Sequence, residues 1–133
     1  MGKTRLNILA VDDEHHLARM MKATLEGQGH HVLTAHNGAD ALQMIKENSF
    51  DVLILDYFLP DAYAPEVVIK LRAMPEGADL PIVILLAKTP SAEDLLQMKE
   101  WHEAGVICKM MKPISREELI ASISSLVDRT SKD

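Results

Sequence analysis

Cysteine is nearly missing from this sequence: Cys108 is the single one in 133 residues. An internal disulfide is therefore excluded, and a reducing compartment is compatible with the chain. Positive charge is short as well, with 14 Lys and Arg against 20 Asp and Glu and a formal net charge of -6. That balance argues against direct binding of nucleic acid, because phosphate backbones are held by an excess of basic side chains. The longest apolar run, Leu80 to Ala87, falls far short of the ~20 residues that cross a bilayer. The opening "MGKTRLNILAVDDE" puts positive charge before an apolar run, but the run ends at Asp12 without a small-residue cleavage site. It is not read as a secretory leader, and a cytoplasmic location is expected. No glycine-rich turn follows that first run, so a dinucleotide or flavin phosphate has no cradle there.

What is present is the composition of a globular domain, 47% hydrophobic and 26% charged, in a chain long enough to enclose one core. Five short apolar runs recur: "LNILAV" (6–11), "HVLTA" (31–35), "DVLIL" (51–55), "PIVILL" (81–86) and "VICKMM" (106–111). The first, third and fourth are almost continuously aliphatic, as strands buried on both faces of a parallel sheet are; the other two read as nearer an edge. Helical spacing links Leu17, Met20, Met21 and Leu25, with Gly27 and Gly29 as stop signals. Further helical patterns follow Asn37, a candidate cap, and Pro65, which suits a first turn. Two more follow Ser91 with Asp94 and Ser115 with Glu118, both at capping-box spacing. The reading is β-α repeated five times without linker or low-complexity segment: one domain over residues 4–130, with no output domain expected in this chain. Helices then cover both faces of a parallel sheet, joined by right-handed crossovers.

In such a fold, ligands collect beyond the carboxyl ends of the strands. The first strand ends in Asp12, Asp13 and Glu14, the third in Asp56 and the fifth in Lys112-Pro113. Asp12, Asp13 and Asp56 brought together oppose one another's ionisation, and a hard divalent cation removes that penalty. Mg2+ takes oxygen ligands and prefers one or two carboxylates plus a phosphate oxygen. One carboxylate can then attack phosphorus to give an acyl phosphate, with Lys112 pairing to a phosphoryl oxygen. Asp56, alone on its strand, is the candidate nucleophile, leaving Asp12 and Asp13 to hold metal.

"ILAVDDE", "DVLILDYFLPD", "PIVILLA" and "KPIS", in this order, resemble the receiver domain of two-component response regulators, the CheY-like superfamily, over roughly Arg5 to Asp128. The resemblance implies a three-layer doubly wound flavodoxin-like fold, with five parallel strands in the order 2-1-3-4-5. It implies phosphorylation of Asp56 by a histidine kinase or histidine phosphotransfer protein, self-catalysed, with no external metabolite turned over. It assigns Mg2+ to Asp12, Asp13, Asp56 and the backbone carbonyl of Phe58, and phosphoryl contacts to Lys112 and the backbone N–H of Ala87. It also implies a homodimer or effector on the face made by the fourth helix, fifth strand and fifth helix, and no membrane.

The chain departs from that pattern at particular positions. The Ser or Thr usual at the end of strand four is Leu86, with Thr89 three residues on, and the aromatic usual on strand five is Lys109. The glycine usual after "PD" is replaced by Ala64. The segment between Leu86 and Lys112 reads as ~4 residues longer than usual, about one helical turn, carrying Trp101 as a core residue or a partner anchor. These departures raise an alternative, a pseudo-receiver that binds partners whatever its phosphorylation state. A third reading is a phosphatase of the haloacid dehalogenase kind built on Asp12 and Glu14. It lacks the Thr or Val usual after that motif, and no cap insertion is present. Asp12 and Asp13 could instead simply cap the first helix. Lys112 could be surface charge. His15 and His16 are read as a solvated first turn, not as metal ligands. His30, His31 and His36 have no ligand spacing, and Met20, Met21, Met44, Met98, Met110 and Met111 are read as core filler.

Overall fold

In a computed structural model, which describes residues 5–87 and 106–131, the aliphatic runs form one sheet. Its strands are β1 (Asn7–Val11), β2 (His31–Ala35), β3 (Val52–Asp56), β4 (Ile82–Leu86) and β5 (Val106–Met111). All pairings are parallel and the order is β2-β1-β3-β4-β5. The described helices are α1 (His15–Gly27), α2 (Gly38–Glu47), α3 (Ala64–Arg72) and the C-terminal α4 (Arg116–Ser131), with a short 3-10 turn at Pro75–Gly77. The expected helix after Ser91, its extra turn, Thr89, Met98 and Trp101 lie outside the described residues. No helix among the described residues is long and apolar enough to cross a membrane.

Side chains alternate across a strand, and that alternation divides the core in two. Leu9, Val11, Leu53, Leu55, Ile82, Ile84 and Leu86 pack towards Ala41, Ile45, Val67, Val68 and Leu71 of α2 and α3. Ile8, Ala10, Val52, Ile54, Val83, Leu85 and Met110 pack towards Met21 and Leu25 of α1 and Leu119, Ile123 and Leu126 of α4. Both faces of the sheet are therefore covered, giving three layers. Truncating a residue such as Ile54 to Ala would leave a cavity and cost about 2–5 kcal/mol.

Local signals act where expected. Asn37 is the N-cap of α2, its side-chain oxygen accepting from Asp40 N at 2.8 Å. Pro65 sits in the first turn of α3, and Ser115 Oγ accepts from Glu118 N at 3.1 Å. The chain leaves α1 through Gly29, whose φ of 95° suits a residue without a Cβ. Of the methionines read as core, Met21 and Met110 are buried, whereas Met111 at the rim of the edge strand is exposed.

Candidate functional site

Strand parity aims the polar side chains. Asp12 continues the row Ile8, Ala10; Asp56 continues Val52, Ile54; Lys112 lies two residues beyond Met110. All three therefore start on the α1–α4 side of the sheet. The register puts Val11 opposite Leu55 and Asp56 opposite Leu85, so the ends of β1, β3 and β4 are level. Lys112 N donates to Leu86 O at 2.7 Å, which fixes the lysine at the same edge beside β4. The Lys112-Pro113 peptide is cis.

The convergence is tight. Lys112 Nζ lies 2.9 Å from Asp12 Oδ2, 3.3 Å from Asp56 Oδ2 and 3.7 Å from Glu14 Oε1. Asp12 and Asp56 are buried, whereas Asp13 is exposed. Asp12 Oδ2 faces the ammonium closely, yet it accepts no hydrogen bond of adequate geometry. Asp12 Oδ1 accepts from Glu14 N at 2.9 Å, so this residue also shapes the turn into α1. It does not cap α1 itself, whose N-cap is Glu14.

Burial pushes the Asp56 carboxyl up to about 6, and the Asp12 charge adds to that, while Lys112 pulls the other way. Burial alone would lower the Lys112 ammonium, but Asp12 and Asp56 outweigh it and hold its pKa above the usual value. Each of Asp12, Asp13 and Asp56 offers a carboxylate oxygen within 4.8 Å of the other two. An all-oxygen donor set of this charge fits a hard cation such as Mg2+.

Phe58 opens the loop after β3, paired in an antiparallel bridge with Tyr63. Leu59 N donates to Ala62 O at 3.1 Å and Ala64 N to Tyr57 O at 2.8 Å, so the loop closes on itself with Ala64 buried at the start of α3. Ala87 is exposed and lines the cleft that also contains Lys112. Leu86 has the opposite parity from the site residues, and its side chain is buried in the α2–α3 half of the core. Lys109 is exposed on β5.

Three residues escaped the sequence reading. Asp61 accepts from Gly38 N at 2.8 Å and Ala39 N at 2.9 Å, capping α2 from the loop after β3. A Cβ on Gly38 would stand 3.1 Å from Val67 Cγ2, a tight approach to which the valine side chain would have to yield. His30 is buried and its Nδ1 accepts from Leu6 N at 3.0 Å. His36, 3.0 Å from Asp12 O through Nδ1, stacks on His15 with ring centroids 3.9 Å apart. None has a local signal: their partners lie 21 or more residues away along the chain.

The comparisons with known proteins point to one family. The family model of the response regulator receiver domain matches residues 8–124. Response regulator MprA of Mycobacterium leprae (strain TN) is 34% identical over 128 residues, 96% of this chain and 54% of that protein. MprA of Mycobacterium avium (strain 104) is 34% identical over 125 residues, 94% of this chain and 52% of that protein. The chain spans about half the length of these curated relatives. Among solved structures, the chemotaxis response regulator CheY4 of Vibrio cholerae superposes with a TM-score of 0.81 at 30% identity, covering 92% of this chain and 99% of that one. The receiver domain of Francisella response regulator 1452 gives 0.79 at 29% identity, covering 94% and 98%.

Proposed function

The chain belongs to the response regulator receiver domain family of two-component signalling, and from that premise we propose that Asp56 is its phosphoacceptor. The donor is a phosphohistidine of a histidine kinase or a histidine phosphotransfer protein. An Asp56 carboxylate oxygen attacks phosphorus, the bond from phosphorus to the donor imidazole breaks, and the imidazole leaves with the electron pair. The product is an acyl phosphate on the protein itself, so no external metabolite is turned over.

The observation that carries the reading is the placement of Lys112 Nζ, 3.3 Å from Asp56 Oδ2 at the mouth of an acidic cleft. The lysine neutralises charge on the phosphoryl oxygens as they arrive. Asp12, Asp13, Asp56 and the Phe58 carbonyl would hold Mg2+, which supplies charge neutralisation and alignment of the phosphoryl group. The N–H of Ala87 would contact a further phosphoryl oxygen. Residues 4–130 form one receiver unit, acting in the cytoplasm. Output runs through a homodimer or effector on the face that includes β5 and α4. An interaction module indifferent to phosphorylation is the less favoured alternative, since it leaves the buried acid and lysine without a use.

The test is incubation with Mg2+ and a small phosphodonor, followed by intact mass. One phosphoryl adduct is expected, absent in Asp56→Asn. No adduct from any donor would remove this reading in favour of the interaction module.

A further inference from the structure

We propose that Glu14 is a specificity-determining residue for the phosphoryl donor: its carboxylate competes with the incoming phosphoryl group for Lys112 and biases the site against more highly charged donors. The inference rests on the receiver reading above.

Glu14 is the N-cap of α1, a position where a carboxylate ordinarily accepts from the first free N–H groups of the helix. It makes no such bond. Its backbone is anchored instead, with N donating to Asp12 Oδ1 at 2.9 Å and O accepting from Ala18 N at 3.0 Å. The side chain therefore departs from a fixed point, and Oε1 reaches to 3.7 Å from Lys112 Nζ. Of the three carboxylates around that ammonium, Asp12 and Asp56 are almost wholly buried, whereas the Glu14 side chain is 66% exposed. Glu14 and Lys112 together line a cleft of about 570 Å³ whose other walls include Leu17, Met20, Pro113 and Ile114.

Glu14 therefore lines the cleft beside the lysine with a carboxylate far more exposed than those of Asp12 and Asp56. A phosphoryl oxygen that pairs with Lys112 replaces the Glu14 contact and meets its negative charge. The repulsion scales with the charge of the donor, so a dianion is opposed about twice as strongly as a monoanion. Because the Glu14 carboxylate is mostly in solvent, the effect is modest, about two- to five-fold in rate.

The experiment uses the full chain at saturating Mg2+ and follows adduct formation at Asp56 by mass. Two donors are compared, dianionic acetyl phosphate and the less charged phosphoramidate, each at low and high ionic strength. Glu14→Gln is expected to raise the second-order rate with acetyl phosphate about two- to five-fold and with phosphoramidate by less. The gap between variant and wild type should shrink at high salt, which screens an exposed charge. Glu14→Asp, too short to keep the contact but still charged, should stay closer to wild type than Gln does. Unchanged rates, equal changes for both donors, or a change indifferent to salt would overturn the proposal while the receiver reading stood. If the wild type takes no phosphoryl group from either donor, the receiver reading falls and this inference falls with it.

Discussion

His30 shows how one buried side chain sets a pH limit that no motif announces. Its Nδ1 accepts the Leu6 N–H, so the ring is neutral with its proton on Nε2. Burial lowers its pKa below the ordinary value. A histidine with a lowered folded pKa contributes stability above its unfolded value near 6.5, and that stability is lost as pH falls. His30→Asn keeps an acceptor at the Nδ1 position but does not titrate. At pH 8 the variant should unfold in urea within about 1 kcal/mol of wild type. Below pH 6.5 the wild type should lose stability relative to it. The chemistry-bearing residues were easier to find. Asp12, Asp56 and Lys112 each end a strand, where an ionisable group beside an aliphatic run stands out. His30, Asp61 and the reach of Glu14 depend on atoms far away in sequence, and nothing local marks them.

At the scale of elements, α2 is held by two caps of different origin. Asn37 is the local one, readable from the sequence as the residue before a helical pattern. Asp61 is the distant one, joining the loop after β3 to the first turn of α2. The Gly38 N–H holds the Asp61 carboxyl below the usual carboxylate range, with the Ala39 N–H adding to it. A depressed carboxyl stabilises the fold above its unfolded pKa and stops doing so as pH falls through the folded one. Asp61→Ala should lower stability by about 1–2 kcal/mol at neutral pH, read from the urea midpoint. Amide exchange at Gly38 and Ala39 should speed up with it, while Asp61→Asn loses less. The five strands and four described helices were legible because periodicity and caps are local properties. The exposure of Met111 was not: whether a strand residue is covered depends on its neighbour in the sheet, and β5 stands at an edge.

For the whole molecule, gathering Asp12, Asp13 and Asp56 at one edge costs stability that a bound cation would return. Asp56 has a folded pKa raised from 3.8 to about 6. Its favourable contribution is complete below pH ~4 and is lost as pH rises through about 6. Metal-free wild type at neutral pH therefore carries a penalty that Asp56→Asn removes, and the variant should melt a few degrees higher. Added Mg2+ should reverse the ranking. At about 100-fold excess over Kd it stabilises the wild type by about 2.7 kcal/mol, and the Asn variant much less. Calorimetry with and without Mg2+ checks both signs; equal shifts in the two proteins would contradict the assignment of Asp56 to the metal.

By itself the sequence determined the alternation of strands and helices, the two-sided burial of the central strands, and which acids and which lysine end them. These follow from the spacing of apolar side chains and from local caps, which act over a few residues. Only the tertiary structure decided that Asp12, Asp56 and Lys112 share one face, that Glu14 turns to the lysine instead of capping its helix, and that Leu86 points into the opposite half of the core. The physical reason is that strand order, register and side-chain parity are fixed together when both halves of the core close. The 2.9 and 3.3 Å approaches of Lys112 to Asp12 and Asp56, far away along the chain, follow from that closure.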